Sequence, residues 1–281
     1  MARKRAPHPP VVMIHGAFCG GWVFEGWRAL FEAKGFRVHM PTLRHHDCGR
    51  NPPPELGTTS VLDYAADLEA LLDGLEQPAI LVGHSMGGLL AQMLAARRPV
   101  RAAVLLAPSA PWGVLPSTPF EIVSAQALYM AGDFWNQILR PTHWIAAANA
   151  LDMIPEPARD AVFARFVPES GQATFEIMHW PLDLARAAQV DPRAVTCPIL
   201  CLGGARDRVN PPATVRRIAR RYEGRVIYEE LAGHSHWLIG EPGWEKIAGR
   251  TLEWLDEVLE SEAKSRIDPP LEGGSKSSRT K

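Results

Sequence analysis

Cysteine is scarce in this sequence, with four residues among 281. Four are too few for the disulfide framework of a small secreted domain, so we expect buried thiols in a reducing compartment. No run of about eighteen apolar residues occurs, and no segment is therefore expected to cross a membrane. The stretch from Met1 to Pro10 is basic but lacks the apolar core of a secretory signal. These absences together predict a cytoplasmic protein.

The chain also lacks an excess of either charge, since 30 basic residues stand against 31 acidic ones. A formal net charge of -1 creates no field that would attract a polyanion, so nucleic acid is not an expected partner. Hydrophobic residues make up 46% of the chain and charged residues 22%. These fractions are typical of a globular protein with a sizeable core, and they exclude a disordered or fibrous chain.

Short apolar runs alternate with helical patterns along most of the sequence. Strands are predicted at residues 10–15, 36–40, 79–82, 102–107, 198–202 and 225–231. Helices are predicted at residues 22–33, 61–76, 86–97, 212–222 and 244–260. Ser60 is placed to cap the second of these helices, with Asp63 in the capping-box position. The alternation predicts an α/β fold in which helices cover both faces of a mainly parallel sheet.

The alternation is interrupted at residues 111–195, where no strand is predicted and apolar residues recur at helical spacing between prolines. We expect this block to form a helical lid inserted into a core of residues 10–110 and 196–262. Residues 1–9 are predicted to be a basic N-terminal extension, and residues 263–281 a disordered tail. The lid holds ten of the 22 aromatic residues. Its composition predicts an apolar substrate pocket in addition to ordinary packing.

The segment Gly83-His84-Ser85-Met86-Gly87 has the pattern G-x-S-x-G between the third predicted strand and its helix. A tight strand-to-helix turn needs glycines beside the serine because the backbone is crowded there, and the turn presents the hydroxyl at the end of the sheet. A glycine turn without a catalytic role would show the same five residues. The strand before it and the helix after it favour Ser85 as a nucleophile.

Candidates for the base and its orienting carboxylate follow later strands. A serine hydroxyl is a weak nucleophile until a base takes its proton and a carboxylate orients that base. Asp207 follows the strand at 198–202, and His234 and His236 follow the strand at 225–231. Because parallel strands end at one edge of the sheet, we expect these side chains to meet Ser85.

Donors for a developing oxyanion are predicted in the glycine-rich loop after the first strand, which runs from His15 to Trp22. The backbone N–H of Ala17 can serve there, paired with the N–H of Met86 after the nucleophile. The loop has neither the lysine of a phosphate-binding P-loop nor the spacing of a dinucleotide-binding turn, so phosphate binding is not favoured.

At these residues the chain resembles the α/β-hydrolase fold family. HGAFCGGW resembles the opening of its small esterase and hydroxynitrile-lyase branch, and GHSMGG resembles its nucleophile turn. GARDRVNPP and SHWLIGEPGWE resemble its acid and histidine segments. The resemblance covers about residues 10–260. It implies a lid inserted after the fourth strand, and serine–histidine–aspartate hydrolysis without a metal or an organic cofactor.

The same resemblance favours His236 over His234 as the base. In that family the catalytic histidine commonly lies five residues before an acidic residue that opens the last helix, and Glu241 is in that position relative to His236. A His-Trp pair is also frequent in the family, and Trp237 follows His236. His234 follows Gly233 directly and stays open as the alternative.

The predicted catalytic residues are therefore Ser85, Asp207 and His236, with Ala17 and Met86 as backbone donors. The predicted function is a serine hydrolase that cleaves carboxylic esters of small to medium, apolar substrates through an acyl-enzyme. A lactonase or another acyl hydrolase, acting on thioesters or C–C bonds, would use the same residues. The sequence does not decide between these substrates or define the oligomeric state.

Three other functions remain as alternatives. Hydroxynitrile lyases keep the same three residues, but their plant versions usually carry a lysine near the catalytic histidine, and here Lys246 is the nearest one after it. His45-His46-Asp47 and His234-x-His236 leave a metallohydrolase open. A ligand receptor that keeps the fold without catalysis is the third alternative. Serine at position 85 argues against haloalkane or epoxide hydrolysis, because those family members use a carboxylate there.

Overall fold

The structure is a computed structural model that describes residues 8–130 and 132–267. The strands are β1 (Val11–Ile14), β2 (Val38–His39), β3 (Ile80–His84), β4 (Ala102–Leu106), β5 (Ile138–Leu139), β6 (Glu169–Ser170), β7 (Ile199–Gly204) and β8 (Val226–Leu231). The α-helices are α1 (Glu25–Ala33), α2 (Val61–Asp73), α3 (Met86–Ala95), α4 (Pro119–Met130), α5 (His143–Asn149), α6 (Glu156–Ala164), α7 (Gly171–Met178), α8 (Pro212–Arg220) and α9 (Trp244–Ile267). Short 3-10 helices span Gly21–Phe24, Pro54–Thr58, Phe134–Asn136 and Trp180–Leu182.

Six of the described strands form one parallel sheet in the order β2-β1-β3-β4-β7-β8. All four residues of β1 are buried, as expected for a strand covered on both faces. Val12 and Ile14 pack into one hydrophobic cluster, whereas Val11 and Met13 pack into another. The predicted α/β fold is confirmed, and the carboxyl ends of β3, β7 and β8 lie along one edge of the sheet.

Helices cover the two faces unequally. On one face, α2, α3 and α8 contribute Tyr64, Leu89 and Ile218, among other residues, to the first cluster. On the other face, α1 and α9 contribute residues such as Trp27 and Leu255 to the second. Every residue of α3 is buried, which fixes the helix that begins at the nucleophile turn. Full burial of a leucine or isoleucine side chain, such as Leu89 or Ile218, stabilises the fold by roughly 1.5–3 kcal/mol.

The N-terminus of α2 shows the predicted capping box. The Ser60 hydroxyl accepts a hydrogen bond from the N–H of Leu62, and the Asp63 carboxylate accepts one from the N–H of Ser60. These bonds satisfy N–H groups that have no partner within the helix, which stabilises such a terminus by about 1 kcal/mol. The sequence prediction for the start of α2 is confirmed.

Between β4 and β7 the chain forms α4 to α7 and a two-residue antiparallel pair, β5 with β6. The prediction that this block contains no strand was wrong at these four residues, because a two-residue strand is too short to show an alternating pattern. Helix α4 has no buried residue. Most of the ten aromatic residues in this block pack against one another, and Phe134, Trp135 and Phe175 form one such group.

The ends of the chain differ from the prediction at one point. Helix α9 continues through Ile267, so the disordered tail predicted from residue 263 was wrong for residues 263–267. Three of those residues, Ala263, Lys264 and Arg266, are good helix formers, which favours extension of α9 beyond its apolar pattern. The rest of that predicted tail, 268–281, and residues 1–7 of the predicted extension lie outside the described residues.

The cysteines are all free, and three of them match the expectation of buried thiols. Cys19, Cys197 and Cys201 are buried, whereas Cys48 is exposed. In the described ranges of the chain, no helix combines the length and the apolar character needed to cross a membrane.

Candidate active site

Ser85 lies on the turn between β3 and α3, as the G-x-S-x-G pattern predicts. Its backbone angles are φ 54° and ψ -119°, in a region that L-residues seldom occupy. Surrounding backbone holds this conformation: the Ser85 N–H donates to the Leu106 carbonyl, and the Ser85 carbonyl accepts from Ser109. Strained angles of this kind persist only where neighbouring groups fix them, and they concentrate at functional sites.

Glycine is required at the end of this turn for lack of space. A Cβ atom on Gly87 would overlap the backbone carbonyl of Ile14 at the end of β1. The loop that follows β1 is equally close, because a Cβ on Gly16 would lie 2.9 Å from the Cβ of Ser85. These short distances show that the loop that carries Ala17 lies directly against the nucleophile turn.

The predicted acid and base are hydrogen-bonded to each other. The Nδ1–H of His236 donates to Oδ2 of Asp207 over 2.9 Å, and both side chains are buried. The other carboxylate oxygen, Oδ1, accepts from the N–H groups of Val209 at 2.8 Å and Asn210 at 2.9 Å. These two N–H groups fix the orientation of the Asp207 carboxylate. The carboxylate in turn fixes the His236 imidazole, with Nε2 free to act as a proton acceptor.

His84 joins the nucleophile turn to the histidine loop. Its Nε2–H donates to the backbone carbonyl of His236 over 2.9 Å, and the centroids of the two imidazole rings are 4.9 Å apart. Burial, with the nearby His236 as a second cause, lowers the pKa of His84 to about 3. His84 is therefore neutral at pH 7. It adds no positive charge that would oppose a cation on His236.

His84 predicts a measurable pH dependence of stability. Its pKa falls from the ordinary 6.5 to about 3, so between these values the unfolded chain binds a proton that the folded chain does not. This contribution to stability is complete above pH 6.5 and is lost as the pH decreases toward 3. We expect His84→Gln, whose amide can also donate to the His236 carbonyl, to remove the effect. From pH 7 to pH 5, its free energy of unfolding in urea should fall by about 1–2 kcal/mol less than that of the wild type. Equal losses in the two proteins would contradict the low pKa.

The two predicted oxyanion donors, the N–H groups of Ala17 and Met86, lie at the cavity of Ser85. Within the described residues, neither the N–H of Ala17 nor that of Met86 donates a hydrogen bond. Both residues line the same cavity as Ser85 and His236. Unpaired N–H groups beside a nucleophile are suited to binding a developing negative charge.

This cavity has a volume of about 510 Å³. The core contributes Phe18 and Trp237 to its wall. The block between β4 and β7 contributes mainly apolar side chains, which are Leu128, Leu139, Ile145, Ala146, Ala150, Phe166, Ile177 and Met178. Of the ten aromatic residues in residues 111–195, only Phe166 lines the cavity in the described structure. The pocket is apolar, as expected, but its wall is mostly aliphatic.

Comparison with known proteins identifies the family. Residues 11–244 match the alpha/beta hydrolase family. The chain belongs to this family. A pimeloyl-acyl-carrier-protein methyl ester esterase of Chromobacterium violaceum is 28% identical over 255 residues, covering 87% of this chain and 94% of that protein. A pyrethroid hydrolase of Sphingobium wenxiniae is 35% identical over 99 residues, which is only 34% of each chain.

Solved structures show the same fold at low sequence identity. A methylesterase protein from Arabidopsis superposes with a TM-score of 0.68 and 17% identity, covering 89% of this chain and 99% of that one. By their names, these three proteins are a methyl ester esterase, a pyrethroid hydrolase and a methylesterase.

The other candidate histidine of this alpha/beta hydrolase has a different partner. The Nδ1–H of His234 donates to Oε1 of Glu241 over 2.7 Å, and the same oxygen accepts from the N–H of Ser235. Burial raises the pKa of Glu241, and its bonds to His234 and Ser235 act against that rise. His234 is not among the residues that line the cavity with Ser85.

The residues that left a metal site open are separated. His46 bonds to Glu169, His234 to Glu241 and His236 to Asp207. Over residues 8–130 and 132–267, no group of three or more His, Cys, Asp and Glu side chains is arranged to hold a metal ion. The three histidines thus each pair with a different carboxylate.

Sequence reasoning missed two polar residues close to the site. Asn210 lines the cavity, and its side-chain amide donates to the Ala107 carbonyl over 2.8 Å. Glu169 is fully buried behind the loop that follows β1, where it accepts a hydrogen bond from the N–H of Phe18 over 3.2 Å. Asn210 could have been noticed three residues after Asp207. No local signal marks Glu169, because its three side-chain and loop partners, Phe18, His46 and Tyr64, lie more than 100 positions away.

Proposed function

We propose that this alpha/beta hydrolase is a serine esterase that cleaves carboxylic esters of small to medium, apolar substrates. The observation that carries the proposal is the hydrogen bond between Asp207 and His236 at the cavity that Ser85 also lines. The order of these residues along the chain and their places after β3, β7 and β8 are those of a serine hydrolase of this fold. The names of two relatives, a methyl ester esterase and a pyrethroid hydrolase, support the same reaction.

In the first half-reaction, Nε2 of His236 takes the proton of Ser85 Oγ as this oxygen bonds to the ester carbonyl carbon. The carbonyl electron pair moves to its oxygen, which accepts hydrogen bonds from the N–H groups of Ala17 and Met86. Asp207 stabilises the imidazolium that forms. The bond to the alkoxy oxygen then breaks, and His236 gives its proton to the departing alcohol.

In the second half-reaction, water replaces the alcohol. His236 takes a proton from the water as the water oxygen bonds to the acyl carbon. The bond from that carbon to Ser85 Oγ then breaks, and the proton returns to Oγ. The products are the free acid and the starting enzyme. No metal or organic cofactor has a step in this sequence.

A substrate panel tests the proposal. The purified protein is assayed with p-nitrophenyl esters, alkyl methyl esters, lactones and thioesters, and it is treated with a fluorophosphonate. We expect ester turnover, and we expect mass spectrometry to find the phosphonyl group on Ser85. Lactones as the best substrates would keep the mechanism and move the assignment to a lactonase. Loss of activity to a chelator, with no labelling of Ser85, would contradict the serine mechanism.

The apolar cavity predicts a dependence on ester chain length. Each methylene that the wall buries should contribute about 0.8 kcal/mol, or roughly a fourfold rise in kcat/KM. We expect kcat/KM to rise over the short members of a p-nitrophenyl ester series and then to level off or fall when the cavity of about 510 Å³ is filled.

Two isoleucines of the same block provide the matched variants. Ile177 lines the cavity from α7, whereas Ile122 on α4 is exposed and lies outside it. Ile177→Ala should change the chain-length profile, and Ile122→Ala should leave it as in the wild type. A flat response from the acetyl ester upward would show that this wall does not contact the substrate.

The cytoplasmic location expected from the sequence stays a prediction.

A further inference from the structure

Glu169 is a carboxylate enclosed in the protein at the junction between the block 111–195 and the core. It lies on β6, is fully buried, and accepts four hydrogen bonds. One oxygen accepts from the Tyr64 hydroxyl at 2.8 Å and from the N–H of Ser170 at 2.7 Å. The other accepts from His46 at 3.0 Å and from the N–H of Phe18 at 3.2 Å. Burial of a charged group is costly, and this complete set of donors offsets that cost for Glu169.

His46 supplies the opposite charge. Its Nδ1 lies 3.0 Å from the Arg44 carbonyl, which can only accept, and its Nε2 faces Glu169. Both ring nitrogens therefore face acceptors. Burial lowers the pKa of His46, but the attraction of Glu169 and the hydrogen bonds outweigh it and raise this pKa, which favours the imidazolium. Burial by itself raises the pKa of Glu169, but the attraction of His46 and the hydrogen bonds outweigh it and hold this pKa below its ordinary value. The pair is thus an ion pair that keeps the carboxylate able to accept.

The backbone held by this carboxylate is Phe18, the residue after Ala17. Phe18 has φ +62°, which is uncommon for a bulky residue. Its N–H donates to Glu169, and its carbonyl accepts from the N–H of Val167 over 2.9 Å. Both hydrogen-bonding groups of Phe18 are therefore held by the chain at and just before β6. The Ala17 N–H belongs to the Gly16–Ala17 peptide, which directly precedes the Ala17–Phe18 peptide that Glu169 holds.

We propose that Glu169 is a positioning residue that sets the oxyanion loop, residues 16–18, through its hydrogen bond to Phe18. This inference rests on the proposed function, because it assigns Glu169 an effect on the oxyanion donor Ala17. The segment from Val167 to Glu169 holds Phe18 on the core at both of its hydrogen-bonding groups, and it thereby completes the transition-state binding site.

The test compares two buried glutamates of the same block. In Glu169→Gln the amide cannot satisfy all four donors, because one of its ends donates instead of accepting. Glu176→Gln is the matched control: Glu176 on α7 is also buried and also bonds to the core, through the Ser60 hydroxyl and the N–H of Val61. In the described structure it forms no hydrogen bond with residues 16–18. Both variants are assayed on the ester that the wild type turns over best. Affinity is also measured for an alkyl trifluoromethyl ketone, whose tetrahedral adduct carries an oxyanion, and for the matching methyl ketone.

We expect Glu169→Gln to lower kcat roughly 10- to 100-fold, because a displaced oxyanion donor acts only in the transition state. KM and methyl ketone affinity should change less than about threefold, while trifluoromethyl ketone affinity should fall in parallel with kcat. Glu176→Gln should change all four quantities less than about threefold. Equal losses in the two variants, or a loss confined to KM, would overturn the positioning role.

A second variant keeps the test decisive if Glu169→Gln does not fold. Tyr64→Phe removes one donor from Glu169 and keeps the carboxylate that accepts from the N–H of Phe18. We expect kcat and trifluoromethyl ketone affinity to fall together by roughly threefold to tenfold, since each lost donor loosens the carboxylate. Unchanged kcat in Tyr64→Phe would count against the proposal. A wild-type protein that turns over no ester would instead refute the proposed function, and this inference with it.

Discussion

Replacing Ser85 with alanine is expected to lower kcat for ester hydrolysis by roughly 10³- to 10⁶-fold while the protein stays folded. The variant loses the oxygen that forms the acyl-enzyme, whereas the cavity, the Asp207–His236 hydrogen bond and the two oxyanion donors remain. Binding and charge stabilisation alone leave a residual rate above that in water. The backbone of Ser85 is fixed by Leu106 and Ser109 rather than by the hydroxyl, so folding should not depend on the side chain.

The measurement is steady-state turnover of the best ester, with circular dichroism and thermal unfolding as the check on folding. Ser109→Ala is a matched control, because Ser109 also lines the cavity and also has a hydroxyl in a buried residue. It should lose less than about tenfold, and the fluorophosphonate should still label Ser85 in it. If a folded Ser85→Ala protein turned over esters near the wild-type rate, the serine mechanism would be wrong.

The features that the sequence predicted are those with local signals. Alternation of apolar runs with amphipathic segments predicted the parallel sheet, and the Ser60–Asp63 box predicted the start of α2. The strand ends predicted where Asp207 and His236 lie, because a parallel sheet brings consecutive carboxyl ends to one edge. Their contact required no knowledge of packing.

The features that the sequence did not predict depend on distant contacts. In the sequence, Glu169 looks like an ordinary glutamate of a surface loop. Its partners Phe18, His46 and Tyr64 are 151, 123 and 105 positions away. The β5–β6 pair has only two residues in each strand, so pairing rather than a sequence pattern defines it. The division of the aromatic residues between the cavity wall and internal packing likewise depends on how the helices of the block dock.

His236 and His234 give the second large expected effect. His236→Ala should lower kcat nearly as much as Ser85→Ala, because the members of such a site act as a unit. His234→Ala should lose clearly less. The structural reason is the choice of partner: His236 bonds to Asp207 and lines the cavity with Ser85, whereas His234 bonds to Glu241 outside it.

Each variant also has a distinct cost in stability. His234→Ala removes the side-chain donor of the buried Glu241, which keeps the N–H of Ser235 as a donor. We therefore expect a destabilisation of about 1–3 kcal/mol with little change in kcat, provided that the assay is run well below the unfolding temperature. The double variant Ser85→Ala/His236→Ala should be no slower than either single variant by more than about tenfold, since the unit is already broken. A folded His234→Ala protein that lost as much kcat as Ser85→Ala, beside an active His236→Ala protein, would move the base to His234 and leave the Asp207–His236 hydrogen bond with a structural role.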